Sequence, residues 1–264
     1  MNYDGQLRLQ AFSHLVVRWI FDALYESNIG CDFVNTEETE LSGYDVLFIP
    51  ALYSADEACL QRIKDYAAGG GTVIATFKTA FTDENVKVWP DVQPHLLGEC
   101  FGVCYHEFTA PVDVFLTGDF FRLDKEERKA GLFMELLEPR GAQVVASYDH
   151  YMWKRYAAVT RNKCGKGECF YLGCMTSTEW LKALISSIWK EKGLWDWKQE
   201  YAFPLVITES INEQGKKLTW FLNYSKEAQV CKCPADGTEL FSGEKAEAGT
   251  ELRVKPWDLV VVCE

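Results

Sequence analysis

The sequence predicts an α/β domain followed by a small antiparallel β domain. Residues 45–50 and 72–77 are short apolar runs with the composition of buried strands, and a helical pattern lies between them. Such a strand–helix–strand unit is a right-handed crossover between parallel strands, which belongs to a sheet with helices on both faces. From about residue 201, short strand patterns alternate with turn residues. This spacing predicts a second, antiparallel β domain.

The elements of the first domain follow from local patterns. Residues 7–29 carry a wide apolar stripe at helical spacing, which predicts a long helix, and residues 31–34 are expected to form a short strand. In the crossover, Ser54 or Asp56 caps the helix and the glycines at 69–71 end it. The remaining predicted elements are a short helix at 96–101, a strand at 112–116, a charged helix at 124–137, a strand at 143–148, a hairpin at 156–172 and a final helix at 177–192.

The second domain is predicted to consist of short strands separated by turn residues. The six strands lie at 205–210, 217–223, 228–233, 238–241, 251–254 and 259–263. We therefore expect two domains, residues 1–198 and residues 199–264.

Composition excludes several classes of function. The chain has 27 Lys and Arg against 39 Asp and Glu, a formal charge of -12, which disfavours binding to nucleic acid or to anionic lipid. No stretch approaches the run of about 20 apolar residues that spans a bilayer. The first residues lack the pattern of an export signal, so a cytoplasmic location is expected. The ten cysteines are then expected to be mostly buried thiols and not disulfides.

Several segments together resemble a known family. They are 44–53 (YDVLFIPALY), Asp83-Glu84-Asn85, 158–162 (AVTRN), 165–173 (GKGECFYLG) and 220–225 (WFLNYS). In order and spacing they resemble the trimerisation domain of glycoside hydrolase family 42 β-galactosidases and the small β domain that follows it. The resemblance implies a flavodoxin-like, three-layer domain of the class I glutamine amidotransferase type that holds three subunits together. It does not cover the family's catalytic barrel, so no residue here can inherit the catalytic glutamates.

The residues offer little support for catalysis within this chain. A glutamine amidotransferase needs a cysteine on the turn after a strand, and the turn after residues 72–77 reads Lys78-Thr-Ala-Phe81. Asp83 and Glu84 are adjacent and are expected to point apart, so local hydrogen bonding is the simpler interpretation. The glycines at 69–71 follow a helix, which is the wrong order for a phosphate-binding loop. No catalytic residue and no cofactor is therefore predicted.

Two groups of residues remain as candidates for binding. His95, Cys100, Cys104 and His106 fall within twelve residues, but their spacing is not that of a closed zinc site, so Cys100, Cys104 and His106 are weak metal candidates. Trp189, Trp195 and Trp197 have the character of core residues. By contrast, Tyr151 and Trp153 lie in a predicted loop, where they are candidates for an exposed contact with a sugar or with another subunit.

The sequence thus favours a non-catalytic assembly portion of a β-galactosidase-like glycoside hydrolase. By the resemblance, the parent protein hydrolyses terminal non-reducing β-D-galactose residues and forms a homotrimer. Two alternatives stay open. One is an independent enzyme on a glutaminase-like α/β fold, and the other is a stand-alone carbohydrate-binding or assembly module.

Overall fold

The computed structural model describes residues 3–35, 40–118 and 121–264, with the backbone alone for residues 3–13. It divides into two compact units. Unit 1 comprises Met1–Ile20 and Phe33–Leu181, and unit 2 comprises Phe21–Asp32 and Lys182–Glu264. The predicted domain boundary between residues 198 and 199 remains a prediction.

The elements from the N-terminus to residue 192 mix helices with strands. They are α1 (Tyr3–Glu26), β1 (Val46–Ile49), α2 (Glu57–Gly69), β2 (Thr72–Thr76), α3 (Gly98–Phe101), β3 (Val103–Cys104), β4 (Phe108–Thr109), β5 (Phe115–Leu116), β6 (Gly131–Glu135), β7 (Glu138–Pro139), β8 (Gln143–Asp149), β9 (Ala157–Cys164), β10 (Gly167–Leu172), β11 (Cys174–Met175) and α4 (Thr178–Lys192). Among the described residues, none of these helices combines the length and the apolar character that a transmembrane span requires.

The main sheet of unit 1 is mixed. In the described part of the chain it has six strands in the order β1-β2-β10-β9-β8-β5. Strands β1, β2 and β10 are parallel, whereas β9, β8 and β5 continue the sheet in antiparallel pairs. The α/β class predicted from the sequence is confirmed, with an antiparallel half that the crossover alone did not predict.

The β1–α2–β2 crossover forms as predicted from its caps and its apolar positions. The Asp56 side chain accepts a hydrogen bond from the Cys59 amide at 2.7 Å and so caps the start of α2, whereas the Ser54 hydroxyl donates to the Asp83 carbonyl instead. Gly70 ends the helix with φ of 129°, which a side chain disfavours. All five residues of β2 are buried, as expected for a central parallel strand.

Two sequence predictions in unit 1 are wrong. Residues 124–137 form no long helix, because the charged part contains one 3-10 turn, Glu126–Arg128, and the apolar part becomes β6. Its apolar residues are nearly consecutive, which suits a strand that pairs on both sides, with β4 and β11. Residues 31–34 form no strand. Strands need hydrogen-bonded neighbours, and β1 lies at the edge of the sheet paired with β2.

Unit 2 is dominated by antiparallel strands. They are β12 (Leu205–Ile211), β13 (Lys217–Asn223), β14 (Gln229–Lys232), β15 (Gly237–Glu239), β16 (Lys245–Ala246), β17 (Glu251–Val254) and β18 (Leu259–Cys263). Within the described residues they form a five-stranded sheet, β12-β13-β18-β15-β16, and a β14–β17 pair. The core between them includes Leu205, Ile207, Phe221, Val254 and Val262. All six predicted strands are confirmed, and only the short β16 was missed.

Candidate functional site

The Asp83-Glu84-Asn85 motif lies in an exposed turn, and the hydrogen bonds of its side chains are local to that turn. The Asp83 carboxylate accepts hydrogen bonds from the backbone N–H groups of Asn85 at 3.0 Å and Lys87 at 2.8 Å. The Asn85 amide donates to the Glu84 carboxylate at 3.0 Å. Asp83 therefore closes the loop after β2 in the manner of an Asx turn.

A second group of polar side chains, which sequence reasoning missed, surrounds Glu135 at the carboxyl ends of β2 and β10. Glu135 is fully buried. Its carboxylate accepts hydrogen bonds from the Lys78 backbone N–H at 2.8 Å and from the Tyr171 hydroxyl at 2.9 Å, and the Tyr148 hydroxyl donates to its carbonyl at 2.8 Å. Burial raises the pKa of Glu135 to about 7, while the hydrogen bonds from the Lys78 backbone and the Tyr171 hydroxyl, the Tyr105 hydroxyl nearby, and the charge of Lys78 act to lower it.

The Lys78 ammonium lies among aromatic rings. Its Nζ is 3.4 Å from the ring centroid of Phe108, 3.9 Å from that of Phe81 and 4.8 Å from that of Phe133. Burial lowers the pKa of Lys78 to about 8, against the charge of Glu135, which acts to raise it. Cation–π attraction replaces part of the hydration that the ammonium loses.

Lys78 also occupies the turn on which a glutamine amidotransferase would carry its nucleophilic cysteine. Its φ of 64° places it in the left-handed region, directly after β2. Strained turns of this kind are often found at functional sites, and ligands of open α/β sheets bind beyond the carboxyl ends of the parallel strands. The arrangement places a carboxyl and an amine in one buried region, where the charge of each acts on the pKa of the other.

The structure separates the predicted metal candidates. Cys100 forms a disulfide with Cys164, and its Sγ is 3.4 Å from that of Cys169. The expectation of thiols without disulfides is therefore wrong at this pair, which joins α3 to the end of β9 across 64 residues, a separation that sequence patterns do not bridge. Cys104 and His106 instead lie together with Glu138.

His95, the fourth residue of that predicted group, lies apart from Cys104 and His106 in its contacts. Its ring stacks on Trp89 with a centroid distance of 3.9 Å, and its Nδ1 is 2.7 Å from the Asp91 carboxylate. These contacts give it a structural role in the loop before α3.

The loop between β8 and β9 exposes aromatic side chains. Tyr151 is 80% exposed and Met152 is also exposed, whereas Trp153 is half-buried. The His150 ring lies 4.5 Å from that of Tyr151 and 6.2 Å from that of Trp153. The loop therefore presents a cluster of aromatic rings around the exposed Tyr151, which is suited to contact with another molecule.

The fold thus defines a protein with a mixed α/β unit and an antiparallel β unit, in which the carboxylate of Asp83 is engaged in closing a turn. The family model described as the beta-galactosidase trimerisation domain matches residues 6–195, and that of the beta-galactosidase C-terminal domain matches residues 206–264. The chain therefore belongs to the glycoside hydrolase family 42 β-galactosidases, and the parts of that family it matches are the trimerisation and C-terminal domains. The resemblance seen in the sequence is confirmed.

Individual relatives agree with this assignment. The chain is 28% identical over 241 residues to beta-galactosidase LacA of Lactobacillus acidophilus, covering 90% of this chain and 35% of LacA. It is 30% identical over 246 residues to beta-galactosidase BgaA of Clostridium cellulovorans, covering 91% of this chain and 36% of BgaA. The chain thus spans about a third of the length of these relatives.

Solved structures share the fold. The β-galactosidase of Bacillus circulans sp. alkalophilus matches with a TM-score of 0.84 and 22% identity, over 100% of this chain and 38% of that one. The cold-adapted β-galactosidase of Rahnella sp. R3 matches with a TM-score of 0.81 and 19% identity, over 94% of this chain and 36% of that one.

Proposed function

We propose that this chain is the assembly portion of a β-galactosidase, which holds three copies together as a homotrimer. The observation that carries the proposal is that both family models match in order over nearly the whole chain. In this account the parent protein hydrolyses terminal non-reducing β-D-galactose residues on a separate barrel domain. Such a barrel needs about 250 residues of its own.

The β8–β9 loop is our candidate for a contact between subunits. Tyr151 offers a large, rigid and exposed aromatic side chain, and residues of this type concentrate at the centres of interfaces. The Tyr151→Ser variant is expected to weaken self-association and to leave the unfolding temperature of the single chain unchanged. Phe241→Ser is the matched control, because Phe241 is similarly exposed, at 73%, in a turn of unit 2. If both variants and the unaltered chain self-associate equally, the β8–β9 loop is not part of the contact between subunits.

The absence of catalysis on this chain is tested with nitrophenyl β-D-galactoside. The purified chain is expected to release no nitrophenol above background, because the catalytic glutamates of the family lie on the barrel. A rate that grows with enzyme concentration and is lost in a Glu135→Gln variant would contradict this account.

One observation favours the second candidate, an independent enzyme on a glutaminase-like α/β fold. Lys78 is strained on the turn after β2, and a buried carboxyl that shares its surroundings lies beside it. Glutamine hydrolysis, followed as ammonia release, tests this candidate directly. The third candidate, a sugar-binding module, predicts that galactose changes the fluorescence of Trp153 beside the exposed Tyr151.

Two finer assignments belong to the same proposal. We assign unit 1 to the flavodoxin-like class, because parallel strands and a crossover helix form its first half. We also propose a cytoplasmic location. It is supported by described cysteines that form no disulfide, such as Cys31, Cys104 and Cys174, although the Cys100–Cys164 disulfide is not typical of a reducing compartment.

A further inference from the structure

Metal-ligating side chains of three types converge on one face of the β3–β7 strand pair. Cys104 lies directly opposite Glu138 in the antiparallel register, and directly opposed residues point to the same side of a sheet. His106 follows two residues after Cys104, so it returns to the same face. The ligand atoms of Cys104, His106 and Glu138 all lie within 4.8 Å of one another.

This donor set suits a borderline-soft divalent cation. Zinc takes thiolate, imidazole and carboxylate ligands, and ligand atoms around a tetrahedral zinc are roughly 3.3 to 3.8 Å apart. Rotation of the exposed His106 and of the half-buried Glu138 can close the remaining distance. We propose that Cys104, His106 and Glu138 bind a zinc ion, with the fourth position taken by water.

Arg140 determines how strongly these ligands can hold a metal. Its Nε donates to the Cys104 sulfur at 3.1 Å and its Nη2 donates to the Glu138 carboxylate at 3.2 Å. The guanidinium therefore supplies positive charge to two of the three proposed ligands. The side chain is 63% exposed, so it can turn into solvent when a metal arrives. Arg140 thus competes with the metal, and its removal is expected to strengthen binding.

The test is a titration of the full chain with Co²⁺, which reports a thiolate ligand through a sulfur-to-cobalt charge-transfer band. No reductant is added, so that the Cys100–Cys164 disulfide stays closed and offers no competing thiols beside Cys169. It is done in a Cys31→Ser background, because Cys31 is an exposed free thiol that could bind cobalt by itself. We expect one cobalt ion per chain, displaced by zinc. Affinity should fall at least about tenfold in His106→Gln and in Glu138→Gln, and the band should vanish in Cys104→Ser.

Two further variants keep the proposal falsifiable if the buried Cys104→Ser variant folds poorly. Arg140→Gln should bind cobalt more tightly, by roughly fivefold if it removes the competition of one exposed ion pair. His14→Gln replaces another exposed histidine and should change nothing. Absence of the band in the Cys31→Ser chain, or equal affinity in His106→Gln and His14→Gln, would overturn the proposal. Because the readout is ligand absorption and not molar mass, its failure is distinguishable from a failure of the assembly role.

Discussion

At the scale of single residues, the buried Glu135 makes the stability of the fold depend on pH. Its raised folded-state pKa, about 7 against an ordinary 4.5, means that the folded chain holds the proton more tightly than the unfolded chain. Its stabilising contribution is therefore complete below pH 4.5 and is lost as the pH rises through about 7. The lowered pKa of Lys78 works in the opposite sense. Lys78 contributes stability above pH 10.5 and loses it as the pH falls through about 8.

The Glu135→Gln variant should separate these two effects. Between pH 4.5 and pH 7 the unfolding free energy of the unaltered chain should fall relative to that of the variant, by roughly 3 kcal/mol at most. Urea unfolding at a series of pH values measures the difference. Glu84→Gln is the control, because Glu84 lies in an exposed turn and its variant should follow the unaltered chain. Parallel curves for Glu135→Gln and the unaltered chain would contradict a raised pKa at Glu135.

Asn223, within the 220–225 segment that carries part of the family resemblance, connects several backbone segments of unit 2. Its amide donates to the carbonyls of Glu227 at 2.7 Å, Val254 at 3.2 Å and Lys255 at 2.9 Å. Its oxygen accepts from the backbone N–H of Ser225 at 3.0 Å. An aspartate at this buried position would lose the donors and face the same carbonyls with a negative charge.

Asn223→Asp is therefore expected to destabilise unit 2 by about 3 kcal/mol or more. Asn212→Asp is the matched control, because the turn there uses the side-chain oxygen of Asn212, which accepts from Gln214 and Lys216, and aspartate retains that oxygen. Thermal unfolding followed by circular dichroism compares the two. Equal losses of stability would mean that the donor contacts of Asn223 contribute little.

At the scale of elements, the β9–β10 hairpin depends on close backbone packing against the end of α2. A Cβ at Gly167 would lie closer than 3.0 Å to the carbonyl oxygens of Ala67 and Gly71. These oxygens belong to backbone, which cannot move aside as a flexible side chain can. The 165–173 segment therefore needs glycine for a packing reason at this position.

Gly167→Ala should lower the free energy of unfolding by about 3 kcal/mol or more. Gly43→Ala provides the comparison, because a Cβ at Gly43 meets nothing within 4 Å and should change stability by less than about 1 kcal/mol. Urea unfolding of both variants checks the prediction. Similar midpoints for the two variants would show that the hairpin can shift away from α2 without cost.

The elements that the sequence predicted are those whose signals are local. Asp56, the glycines after α2 and the apolar runs of β1 and β2 lie within one short segment, so their caps and periodicity identify the crossover. The strand β6 was missed because the charged residues that precede it have the composition of the exposed face of a helix, so the whole segment was predicted as one helix. That error also hid Glu135, which meets Lys78 and Tyr171 only in the folded chain. Glu138 was missed as a neighbour of Cys104 because the two residues meet only through the β3–β7 strand pairing, which local patterns do not reveal.

At the scale of the whole molecule, the two family models account for nearly the full length of the chain. This chain spans about a third of the length of its curated relatives, and the domains it matches are a trimerisation domain and a C-terminal domain. The excess of acidic residues, a formal charge of -12, makes association between copies dependent on a compensating apolar contact. Association should therefore tolerate added salt, which screens the repulsion between copies.

The molar mass in solution tests the central claim most directly. Size-exclusion chromatography with light scattering, over a range of protein concentrations, measures it without a label. The assembly account predicts about three times the chain mass of 30.1 kDa. The mass of a single chain at every concentration would contradict the claim that this portion assembles by itself.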